Sequence, residues 1–261
     1  MTAFPPAPPY GPRRGPARPG TAAGPVLVLA AHGTRSRAGE QTLERLAGAV
    51  RAQRPGYRVE LAYLEISRPL LADLLPTLHG PVTVVPLLLA GGYHVHIDLP
   101  AVVARTRPGA VVTRHLGPHY LLAESLARRL AGAGLRPHQP VVLGAAGSAD
   151  PAALAEVRAT ARLLAARLAR PVTAAFAASG TPAVGDVVTP ETAVASYLLA
   201  PGFFHDRLLA AGAGLVTEPL GEEAASLVWI RHDAAHRAGH RARKCQPAHH
   251  HASTTSTRPA G

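Results

Sequence analysis

The sequence predicts an α/β protein made of two similar open parallel-sheet domains, each three layers deep, with an active-site cleft between them. Three observations carry this reading. Short apolar strands alternate with helix-patterned segments, which calls for a parallel sheet covered on both faces. The alternation restarts after a Gly- and Pro-marked break, AGAGLRPHQP, near residue 135. The second half also echoes the first: PVVLGAAGSADPAAL at 140–154 follows PVLVLAAHGTRSRAG at 25–39, and VASYLLAPGFFHDRL at 194–208 follows VVPLLLAGGYHVHIDL at 84–99. Such self-similarity points to internal duplication.

Taken in order, residues 1–24 contain FPPAPPYGPRRGPARPG, where proline removes donors and glycine resists order, so a disordered arm is expected. An apolar strand at 25–31 leads to a helix near 39–53, where Glu40, Leu43, Leu46, Ala47 and Val50 recur at helical spacing. A strand at 58–64 precedes a helix at about 69–78, with Pro69 suited to a first turn. A strand at 82–88 passes through Gly91 and Gly92 into a helix near 95–106. A strand at 110–114 precedes the helix of 118–132, which closes on glycine and completes a domain of 25–135. In the second domain, 136–236, a strand at 171–178 meets the short crossover SGTPAVGDVVTPET, with room for one brief helix. A strand near 193–199 and a final helix at about 221–236 follow. From 237 to 261 a basic, His-rich, disordered tail is expected.

Hydrophobic residues make up 47% of the chain but aromatics only 4%, so the core must be aliphatic. The net charge of +11 suggests a nucleic-acid or membrane partner until its distribution is considered. Residues 1–24 carry +3 and residues 231–261 carry +5, leaving +3 for everything between. Neither nucleic acid nor membrane is therefore expected as a partner. The single cysteine, Cys245, excludes an intramolecular disulfide framework. With no apolar signal region and no stretch near the roughly 20 residues that span a bilayer, a cytoplasmic protein is expected. Self-association is left open, a monomer being the simpler expectation.

Three groups stand just past the carboxyl ends of expected strands: His32 in VLVLAAHGTR, Glu65 in VELAYLE and His94 in VTVVPLLLAGGYH. Open α/β sheets bind ligands at that edge. Two imidazoles and a carboxylate could hold a divalent metal or shuttle protons. Each also has a structural reading: His32 as a loop histidine beside a helix cap, Glu65 as a partner of Arg35 or Arg68. Gly33 permits a sharp turn, and Thr34 or Ser36 can cap the following helix. Gly91 and Gly92 allow close approach of a flat ligand. His96 would face substrate or stand behind the ligands, and Asp98 could orient His94 or cap the next helix. Where the first half has His32 and His94, the second has Ala146 and Phe204, so one active site is expected, on the amino-terminal domain.

Several segments resemble those of the sirohydrochlorin chelatase family in its long, two-domain form. They are AHGTR at 31–35, YLEISRP at 63–69, PLLLAGGYHVHIDLP at 86–100, HLGPH at 115–119 and YLLAPGFF at 197–204. The resemblance implies a chelatase-type fold and ATP-independent insertion of Co²⁺ or Fe²⁺ into sirohydrochlorin, with loss of two protons, in siroheme or cobalamin synthesis. It implies His32, Glu65 and His94 as catalytic residues and metal ligands, with the ion a substrate and no organic cofactor. Gly33, Thr34, Arg35, Arg68, Gly91, Gly92 and His96 are the expected tetrapyrrole contacts. His96 stands where the family often has lysine or arginine. A non-catalytic carrier of metal or tetrapyrrole and a metal-dependent hydrolase are the rival readings. In the tail, His232, His236 and His240, then Cys245 and His249–His251, could store metal or be incidental.

Overall fold

A computed structural model describes residues 24–244, with side chains from 24 to 238. The predicted arm therefore falls almost wholly outside the described residues, as do the tail's Cys245 and His249–His251. The first half runs β1 (Val26–Ala31), α1 (Arg37–Gln53), β2 (Arg58–Tyr63), α2 (Leu71–Leu74), β3 (Val82–Pro86), α3 (Leu99–Thr106), β4 (Val111–Val112) and α4 (Tyr120–Gly132). The second runs β5 (Val141–Ala145), α5 (Pro151–Leu168), β6 (Val172–Phe176), α6 (Val184–Val187), β7 (Ala193–Tyr197), α7 (Phe203–Leu209), β8 (Leu215–Val216) and α8 (Ala225–Lys244). Two four-stranded parallel sheets result, ordered β2-β1-β3-β4 and β6-β5-β7-β8. The strand order reverses between β1 and β3 in the first sheet and between β5 and β7 in the second, which opens a crevice at the carboxyl edge there.

Burial on both sheet faces explains the unbroken apolar strands. Leu27, Leu29 and Ala31 face the large core shared by both halves, while Val26, Val28 and Ala30 face a smaller outer core. Period-two alternation thus separates two apolar environments. On α1 the buried positions Leu43, Leu46, Ala47 and Val50 match the predicted stripe.

The expected helix at 69–78 is different. Tyr63 N–H donates to the Pro69 carbonyl, and Leu70 bridges Tyr63, so residues 69–70 are held extended. One turn of α2 and a 3₁₀ turn at Leu75–Thr77 follow. The crossover in the second half is equally brief, so shortness belongs to both halves. Residues 94–98, expected as the start of an α-helix, form a π-helical turn that runs into α3. The last helix continues to Lys244, past the expected end at 236.

The halves are not self-contained. α4 packs on α5 and β7 of the second half, and α8 returns to α1 and β3 of the first. Trp229 of α8 is buried and donates its Nε1–H to the Val50 carbonyl at 3.1 Å. Arg54 binds Asp233 through both guanidinium nitrogens, at 2.8 and 2.6 Å, and lies over Trp229. One hydrophobic core therefore includes β1, β5, α1, α4, α5 and α8.

Candidate metal centre

β1, β2 and β3 deliver the three predicted residues to one place. His32 Nε2 lies 2.9 Å from His94 Nε2 and 3.2 Å from Glu65 Oε1. Among the described residues, His32, Glu65 and His94 are the one group of His, Cys, Asp and Glu side chains able to share an ion, with donor atoms within 4.8 Å of one another.

The local backbone explains the convergence. Gly33, at φ +111°, turns the chain straight off β1, and a Cβ there would stand 1.9 Å from the Glu65 carbonyl oxygen. Only glycine permits the two loops to touch. Glu65 N–H donates to the His32 carbonyl at 3.0 Å, and Ser67 is tied to Thr34 through both its acceptor and donor roles. Ser36 caps α1 through Gly39 N–H. Between Glu65 and Ser67, Ile66 is held at φ +64°, a region β-branched residues avoid; such strain clusters at ligand-binding loops.

His94 rises from the π-helical turn, and its Nδ1 meets Asp98 Oδ2 at 2.6 Å. A neutral imidazole that donates Nδ1–H to a carboxylate must present an unprotonated Nε2, the form a metal needs. Asp98 makes no cap bond to α3, so of its two predicted roles it performs the orienting one. A tetrahedral ion at ~2.05 Å from each imidazole would hold the nitrogens about 3.3 Å apart, so the rings need separate by only ~0.4 Å. His32 and His94 are a little over one-third exposed and Glu65 about half, which leaves room for a further ligand. The Glu65 side chain leaves the apolar strand end for solvent.

His32 and His94 line a cleft of about 870 Å³ between the two halves, while Glu65 lies in a smaller adjoining recess with His94 and Asp98. The cleft lining is mainly aliphatic, with His32, His94 and His96 as the imidazoles and no lysine or arginine. Gly91, Gly92 and His96 line it. Gly33 and Thr34 do not; they shape the ligand loops. Arg35 and Arg68 are exposed and stand outside the lining, Arg68 within 3.8 Å of an equally exposed Asp73. The extended 69–70 segment keeps Arg68 ahead of the helix rather than over the cleft.

The duplication is chemically one-sided, and the backbone identifies each lost ligand. Glu65 N–H donates to the His32 carbonyl as Ala178 N–H donates to that of Ala146. Gly92, at φ +153°, precedes His94 by two residues, as Gly202, at φ +146°, precedes Phe204. His32, Glu65 and His94 thus correspond to Ala146, Ala178 and Phe204. Ala146 and Phe204 line the cleft opposite the centre.

Near the site, Glu156 carried no signal of function in the sequence, and its partner His115 entered only as part of the HLGPH segment. Glu156, on α5, accepts Gly91 N–H at 2.6 Å and His115 Nε2 at 2.8 Å. Burial pushes its carboxyl up, but the Gly91 N–H and His115 outweigh that and hold it below the ordinary carboxylate range. Burial pushes the His115 imidazole down. On α8, His232 is buried against Tyr57 and Trp229 and bonded to Asp233, and His236 meets Thr83. Among the described residues these are packing contacts and form no second cluster of three potential ligands, the side chains of His240, Cys245 and His249–His251 lying outside the described residues; His205 is likewise buried against the Thr217 carbonyl.

The fold and this cluster define a two-domain α/β protein of chelatase architecture with three side chains placed to share a metal ion. The CbiX family model matches residues 26–133, the half that carries His32, Glu65 and His94. Among solved structures, the chain is similar to the sirohydrochlorin chelatase SirB from Bacillus subtilis subspecies spizizenii in complex with cobalt. That match has a TM-score of 0.69 and 20% identity, covering 83% of this chain and 97% of the other. SirB from Bacillus subtilis with Fe³⁺ gives 0.68 and 19%, over 83% and 98%. CbiX, described as the terminal enzyme of siroheme biosynthesis in denitrifying bacteria, gives 0.65 and 21%, over 80% and 98%. No curated protein sequence matches. These structures share the fold, two similar domains each with a helix-flanked parallel sheet. Among the described residues no helix is long and apolar enough to cross a membrane.

Proposed function

We propose that this chain is a sirohydrochlorin chelatase, inserting Co²⁺ or Fe²⁺ into the macrocycle without ATP in siroheme or cobalamin synthesis in the cytoplasm. The observation that carries the reading is the meeting of His32, Glu65 and His94 beside a cleft of about 870 Å³ that both histidines line, a volume within the range of small-molecule sites. The family-model match over that half and the names of the structural neighbours support it.

In this reading the two Nε2 atoms hold the incoming ion and Glu65 completes the set. Imidazole and carboxylate are borderline-to-hard donors that bind Co²⁺ and Fe²⁺ without the retention thiolates would impose. The aliphatic lining and the Gly91–Gly92 turn receive the ring plane. Four metal–nitrogen bonds form: two nitrogens donate lone pairs they already carry, and at the other two a pyrrole N–H bond breaks, its electron pair passing to the metal and its proton to a base. Glu65 is the base of choice, being half in solvent and able to leave the ion. A cleft that fits a bent ring, with nitrogen lone pairs turned toward the centre, would favour the transition state over the flat substrate.

Anaerobic absorbance spectroscopy with sirohydrochlorin and either ion tests this. Wild-type protein should accelerate metallation, and His32→Ala, Glu65→Ala and His94→Ala should each lower the rate by at least ~100-fold while remaining folded. Binding of both partners without acceleration would make the protein a carrier, and release of phosphate from a simple monoester would turn the reading to a hydrolase.

A further inference from the structure

The second half has lost its own three ligands, yet it reaches across the cleft to the turn that carries His94. Glu156, in the first turns of α5, accepts the Gly91 N–H at 2.6 Å, three residues before His94. Its carboxylate is fixed in turn by buried His115 and by Arg114, at 2.8 and 3.3 Å. His115 is 4% exposed and Glu156 24%, so this charge-assisted bond lies largely out of water. The turn is equally tight on its other side, since a Cβ on Gly91 would stand 2.6 Å from His96 Nε2.

The internal duplication supplies a comparison within the same molecule. Each half's turn rests on the other half's first helix: Gly91–Gly92 on α5, and Pro201–Gly202 on α1, where a Cβ on Gly39 would stand 2.6 Å from the Pro201 carbonyl. At the position of Gly91 the second half has Pro201, which has no N–H to donate. At the position of Glu156 the first half has Thr42, which donates to its own helix at Ala38. The anchor therefore exists only for the turn whose next residues include a metal ligand. A general packing device would serve both turns alike.

We infer that Glu156 is a positioning residue that fixes the Gly91–His94 turn from the opposite domain, so that the arrangement of the two halves sets the geometry of the metal centre. This rests on the reading of His32, Glu65 and His94 as that centre.

The test uses the full chain and Co²⁺ alone, whose visible d–d absorption reports ligand number and geometry. Wild-type protein should show a band that His94→Ala abolishes. Glu156→Ala should shift that band and weaken Co²⁺ binding by roughly tenfold, the scale of losses behind a ligand. Glu156→Gln, which keeps an acceptor oxygen for Gly91, should restore most of both. A wild-type band with unchanged position and affinity in folded Glu156→Ala would overturn the positioning role and leave the metal centre standing. No His94-dependent band in wild type would instead sink the centre. Should Glu156→Ala fail to fold, hydrogen exchange on the wild-type protein decides: a Gly91 amide protected well above its loop neighbours supports the anchor, and one that exchanges as freely refutes it.

Discussion

Gly33 and Glu65 touch through their backbones so closely that a methyl group on Gly33 would lie 1.9 Å from the Glu65 carbonyl oxygen. The contact sets the distance between the first and second ligands, because Glu65 N–H also bonds the His32 carbonyl. Gly33→Ala must push the loops apart and also carry a side chain at φ +111°. We expect a loss of about 2–3 kcal/mol from backbone strain and displacement. Thermal unfolding should show a drop on the order of 5 °C. Co²⁺ titration should show a larger relative loss than any substitution at Thr34, whose contacts lie behind the loop.

Asp98 acts on the centre only through His94. Replacing it by asparagine keeps a hydrogen-bond acceptor but removes the negative charge behind the ring, while alanine removes both. Co²⁺ affinity should fall roughly tenfold for Asp98→Asn and up to ~100-fold for Asp98→Ala. Because the side chain is a third exposed and caps no helix, melting temperature should barely change in either. Equal affinities in all three proteins would show that the 2.6 Å bond does not tune the ligand.

Much of this centre was legible in the sequence because strand ends are. An apolar run that stops at a polar residue marks the carboxyl edge of a parallel sheet, and His32, Glu65 and His94 each follow such a run. The same logic failed where the determining contact is remote. Nothing in ALAEVRATA separates Glu156 from an ordinary exposed helix position, since its partners, Gly91 and His115, lie more than forty residues away. The extended stretch at 69–70 was hidden because a proline suits a helix start and a strand bridge equally well. Arg35 and Arg68 read as anion contacts by sequence proximity to ligands, but adjacent residues on a turn diverge, and the structure leaves both in solvent. The exchange of α4 and α8 was invisible for a related reason: an amphipathic pattern says that a face is buried, not against which domain.

The Arg54–Asp233 pair ties α8 to the first half and should give stability a defined pH dependence. The two bonds from Arg54 hold the Asp233 carboxyl well below the usual carboxylate range, against burial that pushes it up, and His232 assists. A depressed carboxylate contributes stability that is full above its unfolded value of about 3.9 and disappears as pH falls toward its folded value. Asp233→Asn should therefore cost about 1–2 kcal/mol at neutral pH, a modest figure because both partners are a third exposed. The gap between variant and wild type should close as the pH is lowered through 4. Denaturant unfolding at a series of pH values measures it, and a constant gap would show that the ion pair is not its source.

If the second half is a copy that lost its ligands through side-chain replacement alone, its backbone should still be able to hold an ion. The turn glycines support this, Gly147 at φ +98° echoing Gly33 and Gly202 at φ +146° echoing Gly92. A Cβ on Gly147 would stand 2.0 Å from the Ser179 carbonyl, one residue past Ala178, so the two loops touch in the second half as in the first, though one residue out of step. The triple variant Ala146→His, Ala178→Glu, Phe204→His restores all three donors. It should bind two Co²⁺ per chain where wild type binds one. The new site should be the weaker by about tenfold or more, because no aspartate stands four residues after Phe204 to orient the new imidazole. Calorimetric titration gives both stoichiometry and affinity. A variant that folds with a single equivalent bound would mean that the second half differs in backbone as well as side chain, and that its role in the cleft was built rather than inherited.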